Sequence, residues 1–356
     1  MPSRLWISLL LLAAAAAANA QNRELHALFD AAWEQDLKED PLQALYYGDS
    51  RYVREWPEES PAARQRREAA DAAYLASLKR IDRANLSPQD RLSYDLFAWE
   101  YQSRLDAVPF KTWLYDLRSG EGVQTLSEQA ELLPFETAAD YENWIARLQK
   151  IDRYLEQYTQ MLEIGIREKR TQPKVIMERV TPALAAYVTK TAEENAFYAP
   201  FKRLPESISA ADRARLQASG KQVVEAVVIP AYTRFEKFFR ERYLPACRET
   251  VGIWDTPNGD AFYRERVKHH TTTNLSPDEI HAIGLQEVAR IRGEMDAIIK
   301  RVGFKGDFAE FVTFLRTDPQ FYYQSPDELF RAYVVIAKLI EPELVKLFGK
   351  LPRTPY

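Results

Sequence analysis

The chain has 356 residues, 46% of them apolar, and Lys+Arg 48 against Asp+Glu 52 leave a formal net charge of −4. That balance argues against nucleic acid, which normally demands a basic face, and no nucleic-acid partner is expected. A single cysteine, Cys247, excludes an internal disulfide, so stability has to come from packing.

Residues 1–20 read as an export signal, because Arg4 precedes the apolar run Leu5 to Ala18 and Ala18-Asn19-Ala20 supplies a small-x-small cleavage pattern. The mature chain is expected to begin at Gln21, in the periplasm or outside a bacterial cell. The apolar run is too short for a comfortable span of ~20 residues and no later stretch approaches it, so no membrane span is expected after cleavage. No cysteine stands just after the cleavage point to carry a lipid. Residues 21–356 are expected to form one large helical body or two intimate helical subdomains.

The fold class expected is all-α, a large bundle-like array of helices with few or no strands: Gly is scarce (12) and β-branched runs flanked by tight turns are nearly absent. From Glu24 to Leu37 the residues Leu25, Leu28, Phe29, Ala32, Trp33 and Leu37 mark one helical face, with His26 at its boundary. Ala62 to Ile81 forms the next helix, and its Arg64, Arg66 and Arg67 read as a solvated face. Ser87 to Asp90 open a helix lined by Leu92, Leu96, Trp99 and Leu105, with Tyr94, Phe97 and Tyr101 widening its apolar surface. The segment Leu117 to Val123, with Gly120 and Gly122, reads as a connecting or substrate-facing loop.

Thr137 to Asp140 begin the cleanest helix, in which Ile145, Leu148, Ile151, Leu155, Tyr158 and Leu162 recur up to Gly165. Another helix is expected from Pro173 through Val188, interrupted by Pro182. Asn195 to Ile208 read as an aromatic connection that packs down. Ser209 starts a long helix that Pro230 should kink without ending. Ser276-Pro277-Asp278-Glu279 and Ser325-Pro326-Asp327-Glu328 each supply a capped helix start, and Pro342 kinks or divides the last helix. The final residues, Phe348 to Tyr356, read as a connection into something further.

No zinc-protease pattern of two histidines a helical turn apart is present; His269 and His270 are adjacent and point in different directions, and His281 has Leu285 at i+4. No nucleophile elbow exists, and Cys247 reads as a small core residue. The pairs Glu58-Glu59, Glu193-Glu194 and Asp278-Glu279 read as solvated or capping carboxylates. His270 with Thr271 to Thr273 offers hydrogen bonds to a peptide or sugar, or equally satisfies its own backbone. Tyr263, His270, Thr271 and Thr272 are the candidate substrate-binding residues; no catalytic or metal-binding residue is assigned.

Several strings together carry a resemblance: His270-Thr271-Thr272-Thr273 with Pro277, Glu279-Ile280-His281 and Gly284-Leu285; Leu133-Pro134-Phe135 with Asp140-Tyr141-Glu142-Asn143-Trp144; Pro173 to Val180; and Leu347-Phe348-Gly349 with Leu351-Pro352-Arg353. They resemble the domain of unknown function 885 family of bacterial, often exported, proteins over nearly the whole mature chain. The resemblance implies a helical, zinc-metallopeptidase-like protein whose complete members carry a His-Glu-x-x-Pro-Gly-His motif beyond the Leu-Pro-Arg string. Here the sequence ends three residues after Arg353, so none of those ligands maps onto a residue of this chain.

The expectation is therefore that the chain is the N-terminal helical scaffold and cleft wall of such an enzyme, with a peptide-like substrate and a missing C-terminal half as partners. It holds no cofactor of its own, and zinc belongs to the complete member. The rival readings are a non-catalytic helical binding protein of the cell envelope and catalysis by His269 or His270 with an unidentified acid.

Overall fold

A computed structural model describes residues 23–354; the expected export signal lies outside the described residues. Helices account for the fold, and among the described residues the only β-type pairing is an isolated bridge between Pro173 and Arg248. The chain divides into two compact units, one ending at Asn274 and the other running from Leu275.

The first unit starts with α1 (23–39), α2 (Pro41–Tyr46), α3 (Pro61–Leu78) and α4 (Pro88–Ala107). Each of the last three has proline in its first turn and a side-chain cap immediately before it: Asp40, Ser60 and Ser87 accept from the first free backbone N–H groups. Leu25, Ala32, Leu75, Leu78, Ile81 and Tyr101 make a small core among these helices. The face of α4 that packs is not the one read from the sequence. Tyr101 is buried, with Tyr94, Phe97 and Leu105 against the same cluster, whereas Leu92, Leu96 and Trp99 are exposed. Two apolar stripes share this helix, and the packed rings of Phe29, Phe97 and Tyr101, with centroids 4.9 Å apart in a tilted pair and 4.1 Å apart in a stacked one, decide which turns inward. Trp33 is exposed as well and rests against Tyr47.

The larger core lies further along. The expected single helix from Thr137 to Gly165 is two, α5 (Ala138–Leu148) and α6 (Ile151–Glu168). At the break the Arg147 carbonyl accepts from Trp56 Nε1 at 2.8 Å and from the Lys150 N–H at 3.0 Å, so it no longer serves a regular i+4 donor. The apolar spacing survives the break, and Trp144, Leu148, Ile151, Leu155 and Leu162 are all buried. The helix expected through Val188 is likewise two short ones, α7 (Lys174–Met177) and α8 (Thr181–Ala185), divided ahead of Pro182.

A continuous helix, α9, then runs through Ala210–Val223, Val224–Val228, Ile229–Phe238, Phe239–Tyr243 and Leu244–Ala246. Its second and fourth segments are π turns, each placed just ahead of a proline, Pro230 and Pro245. Widening the helix by one residue there absorbs the hydrogen bond that proline cannot donate. Phe201 packs so closely on α9 that a Cβ at Gly220 would lie 2.7 Å from its ring. Buried polar tips are satisfied by backbone: Tyr232 donates to the Val123 carbonyl at 2.7 Å, Tyr187 to that of Gln124 at 2.9 Å and Trp144 to that of Phe197 at 3.2 Å. Cys247 is buried, and burial pushes its thiol up to about 12. The unit closes with α10 (Gly259–Thr271).

The second unit holds α11 (Pro277–Arg301), α12 (Phe308–Thr317) and α13 (Pro326–Ile340), followed by a 3-10 turn from Glu341 that places Pro342 at a boundary. Ser276 with Glu279 and Asp307 with Glu310 form capping boxes, and Ser325 accepts from the Glu328 N–H. The rings of Phe304, Phe311, Phe314 and Phe321 cluster together, but Ile299 is the one residue of α11 to α13 that is buried.

Candidate functional site

The first unit carries a charged cleft that the sequence reading missed. Arg64 and Arg67 of α3 are largely sequestered, their side chains 22% and 21% exposed, and are not the solvated face expected for that run. Glu59, expected to be solvated, is 12% exposed and pairs closely with Arg64. The partners of the arginines come from the end of α1, the turn before α3 and the segment after α4, so no local charge pattern in α3 announces them.

Arg104 of α4 ties three helices together. Its Nη2 lies 3.0 Å from Asp36 of α1, its Nη1 3.5 Å from Asp71 of α3, and its Nε 2.9 Å from Glu100 one turn earlier on its own helix. Arg66 and Arg67 converge on Glu39, with Nε to carboxylate distances of 3.1 and 3.0 Å. The Arg64 guanidinium also sits over the Trp113 ring, 5.8 Å from its centroid. Two recesses, of about 260 and 380 Å³, share Asp36, Glu39, Arg64, Arg67 and Arg104 as walls. The first reaches Asp71, Tyr74 and Trp113; the second reaches Asp40, Glu59 and Asp116.

Carboxylates outnumber guanidiniums on these walls, and the electrostatics show it. Burial pushes Asp71 up to about 6 against the pull of Arg104, and the neighbouring Asp36 and Glu100 add to the rise. Burial also raises Glu59 in spite of Arg64 and Arg67. For Glu39 burial acts upward too, but the hydrogen bonds from Arg66 and Arg67 win and hold it below the usual carboxylate range. Near neutral pH the cleft thus offers ionised carboxylates, a carboxyl that exchanges its proton close to pH 6, guanidinium donors and two aromatic rings. Such a set can accept hydrogen bonds from ammonium or amide groups and donate to carbonyls.

The residues singled out from the sequence lie on α10 and just beyond it. His269 turns toward α4: its Nδ1 is 2.5 Å from Ser103 Oγ, and its ring stacks on Trp99 at 5.5 Å. Burial, then the charges of Arg266 and His270, hold His269 below its ordinary value. A recess of about 330 Å³ is lined by Trp99, Ser103, Asp106, Glu265, Lys268 and His269. His270 points elsewhere, exposed and edge-on to His269.

Thr271 spends its hydroxyl on the Val267 carbonyl at 2.8 Å and on Thr273 at 2.9 Å, and Thr272 ends the helix in the left-handed region at φ 54°. Tyr263 stands perpendicular to Trp254 with centroids 6.2 Å apart, and both rings are exposed. Tyr263, His270, Thr271 and Thr272 share this exposed stretch, and none of them lines the charged cleft. Among the described residues no three His, Cys, Asp or Glu side chains converge as a metal-ligand group.

The profile of a family described as a bacterial protein of unknown function (DUF885) matches residues 41–356. No curated protein matches the chain. Among solved structures, the chain is similar to the crystal structure of a candidate lipoprotein from Colwellia psychrerythraea, with a TM-score of 0.81 and 22% sequence identity. The likeness covers 94% of this chain and 61% of that one, so the chain spans under two thirds of the length of the structure it matches.

Proposed function

The chain belongs to the DUF885 family, and we propose that its helices form the scaffold and one wall of the substrate cleft of an exported, metallopeptidase-like protein. The charged cleft carries this reading. It brings α1, α3 and α4 together around guanidinium, carboxylate and aromatic groups that can hold a peptide by its main chain and by a cationic end. The zinc ligands that the family resemblance implies would belong to chain outside the described residues, and the residues of this cleft would hold and orient the substrate. Tyr263, His270, Thr271 and Thr272 are assigned a secondary role, contacting the substrate outside the cleft.

The excess of carboxylates favours a ligand with a free amine or a basic side chain. Calorimetric titration of the chain with a lysine-containing peptide, and with its acetylated, uncharged counterpart, tests this. Binding of the charged peptide is expected, weakened roughly fivefold by Asp71→Asn at pH 8, the worth of ~1 kcal/mol for a partly screened ion pair. Equal binding of the two peptides, or no effect of Asp71→Asn, contradicts the assignment. A non-catalytic binding protein of the cell envelope would hold peptide in the same way, and hydrolysis separates the two readings.

A further inference from the structure

The second unit exposes more apolar surface than its own three helices can cover. Along α11 the residues Gly284, Val288, Ile291, Met295 and Ile298, continued by Val302, alternate in steps of three and four, the a and d positions of a heptad repeat. The five apolar side chains of this seam are between 40% and 66% exposed. Glu287 and Glu294 at g positions and Arg292 at an e position flank it, as charges flank the seam of a paired helix.

A second helix repeats the signal. On α13 the residues Leu329, Phe330, Tyr333, Val334, Ile336 and Leu339 form one broad apolar face opposite Asp327, Arg331 and Lys338, yet all are exposed. An amphipathic helix is stabilised by packing its apolar face against a partner, and here that face is bare.

We infer that the α11 seam docks a helix from the part of the protein that corresponds to the uncovered remainder of the longer solved relative. The inference rests on the reading of this chain as part of a larger cleft-bearing protein. Three observations select this occupant over a second copy of the chain. The relative matches 94% of this chain within only 61% of its own length, so it has chain to spare for such a role. The bare faces are on α11 and α13, toward the C-terminal side of the sequence, where added chain needs little reach. The strict three-four spacing specifies a helix crossing at a shallow angle of about 20° rather than an irregular strap.

Thiol labelling provides the test, because the lone native cysteine, Cys247, is buried with its thiol pushed up to about 12 and labels slowly. Val288→Cys and Ile291→Cys are placed in the 356-residue chain and in the gene product extended beyond Tyr356, with Gln286→Cys on the opposite face of α11 as control. Maleimide should react with both seam positions rapidly in the short chain and at least tenfold more slowly in the extended protein, while Gln286→Cys labels alike in both.

Equal labelling of the seam in the two forms overturns the inference, as does a reading frame that stops at Tyr356. Protection that appears in the short chain as its concentration rises also overturns it, in favour of a second copy. Labelling is indifferent to peptide binding and hydrolysis, so failure here is distinguishable from failure of the proposed function.

Discussion

Asp71 shows how a single carboxyl can oppose the fold that it helps to organise. Its folded value of about 6 lies above the ordinary 3.8, so the folded chain holds a proton between roughly pH 4 and 6 that the unfolded chain has released. Stability therefore falls as pH rises through that window, and the whole penalty is present above it. Asp71→Asn removes the penalty while Arg104 keeps Asp36 and Glu100. Thermal unfolding should show the variant more stable than the parent by about 2 kcal/mol at pH 8, the ~3 kcal/mol of the full shift reduced by solvent screening of a partly exposed group, and scarcely different at pH 4. A variant less stable than the parent at pH 8 would mean that the Arg104 contact outweighs desolvation.

Arg147 is a second residue of this kind. It is fully buried and stacks over Trp56, and burial pushes it down to about 10 against the opposing charge of Glu55. Neither environment was legible in the sequence. A charge reads as solvated until the segments that bury it, here the residues from Tyr52 to Trp56, are known to fold over it.

At the scale of elements, what is written locally was legible and what depends on choice between faces was not. Capping is a contact within three residues, and Ser87, Thr137, Ser276 and Ser325 all stand where their helices begin. Prolines at 182, 230 and 342 likewise marked boundaries or irregular turns from the sequence alone. The inward face of α4 was misread because both of its stripes are apolar, and only the rings of Phe29 and Tyr74 across the interface decide between them. The break between α5 and α6 was hidden because the apolar spacing runs straight through it.

The Ser276 cap has a measurable worth. Ser276→Ala should cost about 1 kcal/mol of local stability. Hydrogen exchange reads this as faster exchange over the first turns of α11, with the amides of α5 and α6 unchanged. Unaltered exchange in α11 would show that packing, not the cap, holds its start.

For the whole molecule, the all-helical class followed from scarce glycine and continuous three-four spacing, and the family from strings spread across the chain. The charged cleft did not, since its walls are assembled from four separate segments. The described chain thus combines a well-packed first unit, a polar cleft on it, and a second unit whose helices α11 and α13 present bare apolar faces. A scaffold that needs more chain to become a catalyst would have these features. The most direct measurement is peptide hydrolysis and zinc content, with and without a chelator, on the 356-residue chain beside the gene product extended beyond Tyr356. The account predicts no hydrolysis and no stoichiometric zinc in the shorter form, and chelator-sensitive hydrolysis with bound zinc in the longer one. Chelator-sensitive hydrolysis by the 356-residue chain alone would contradict it.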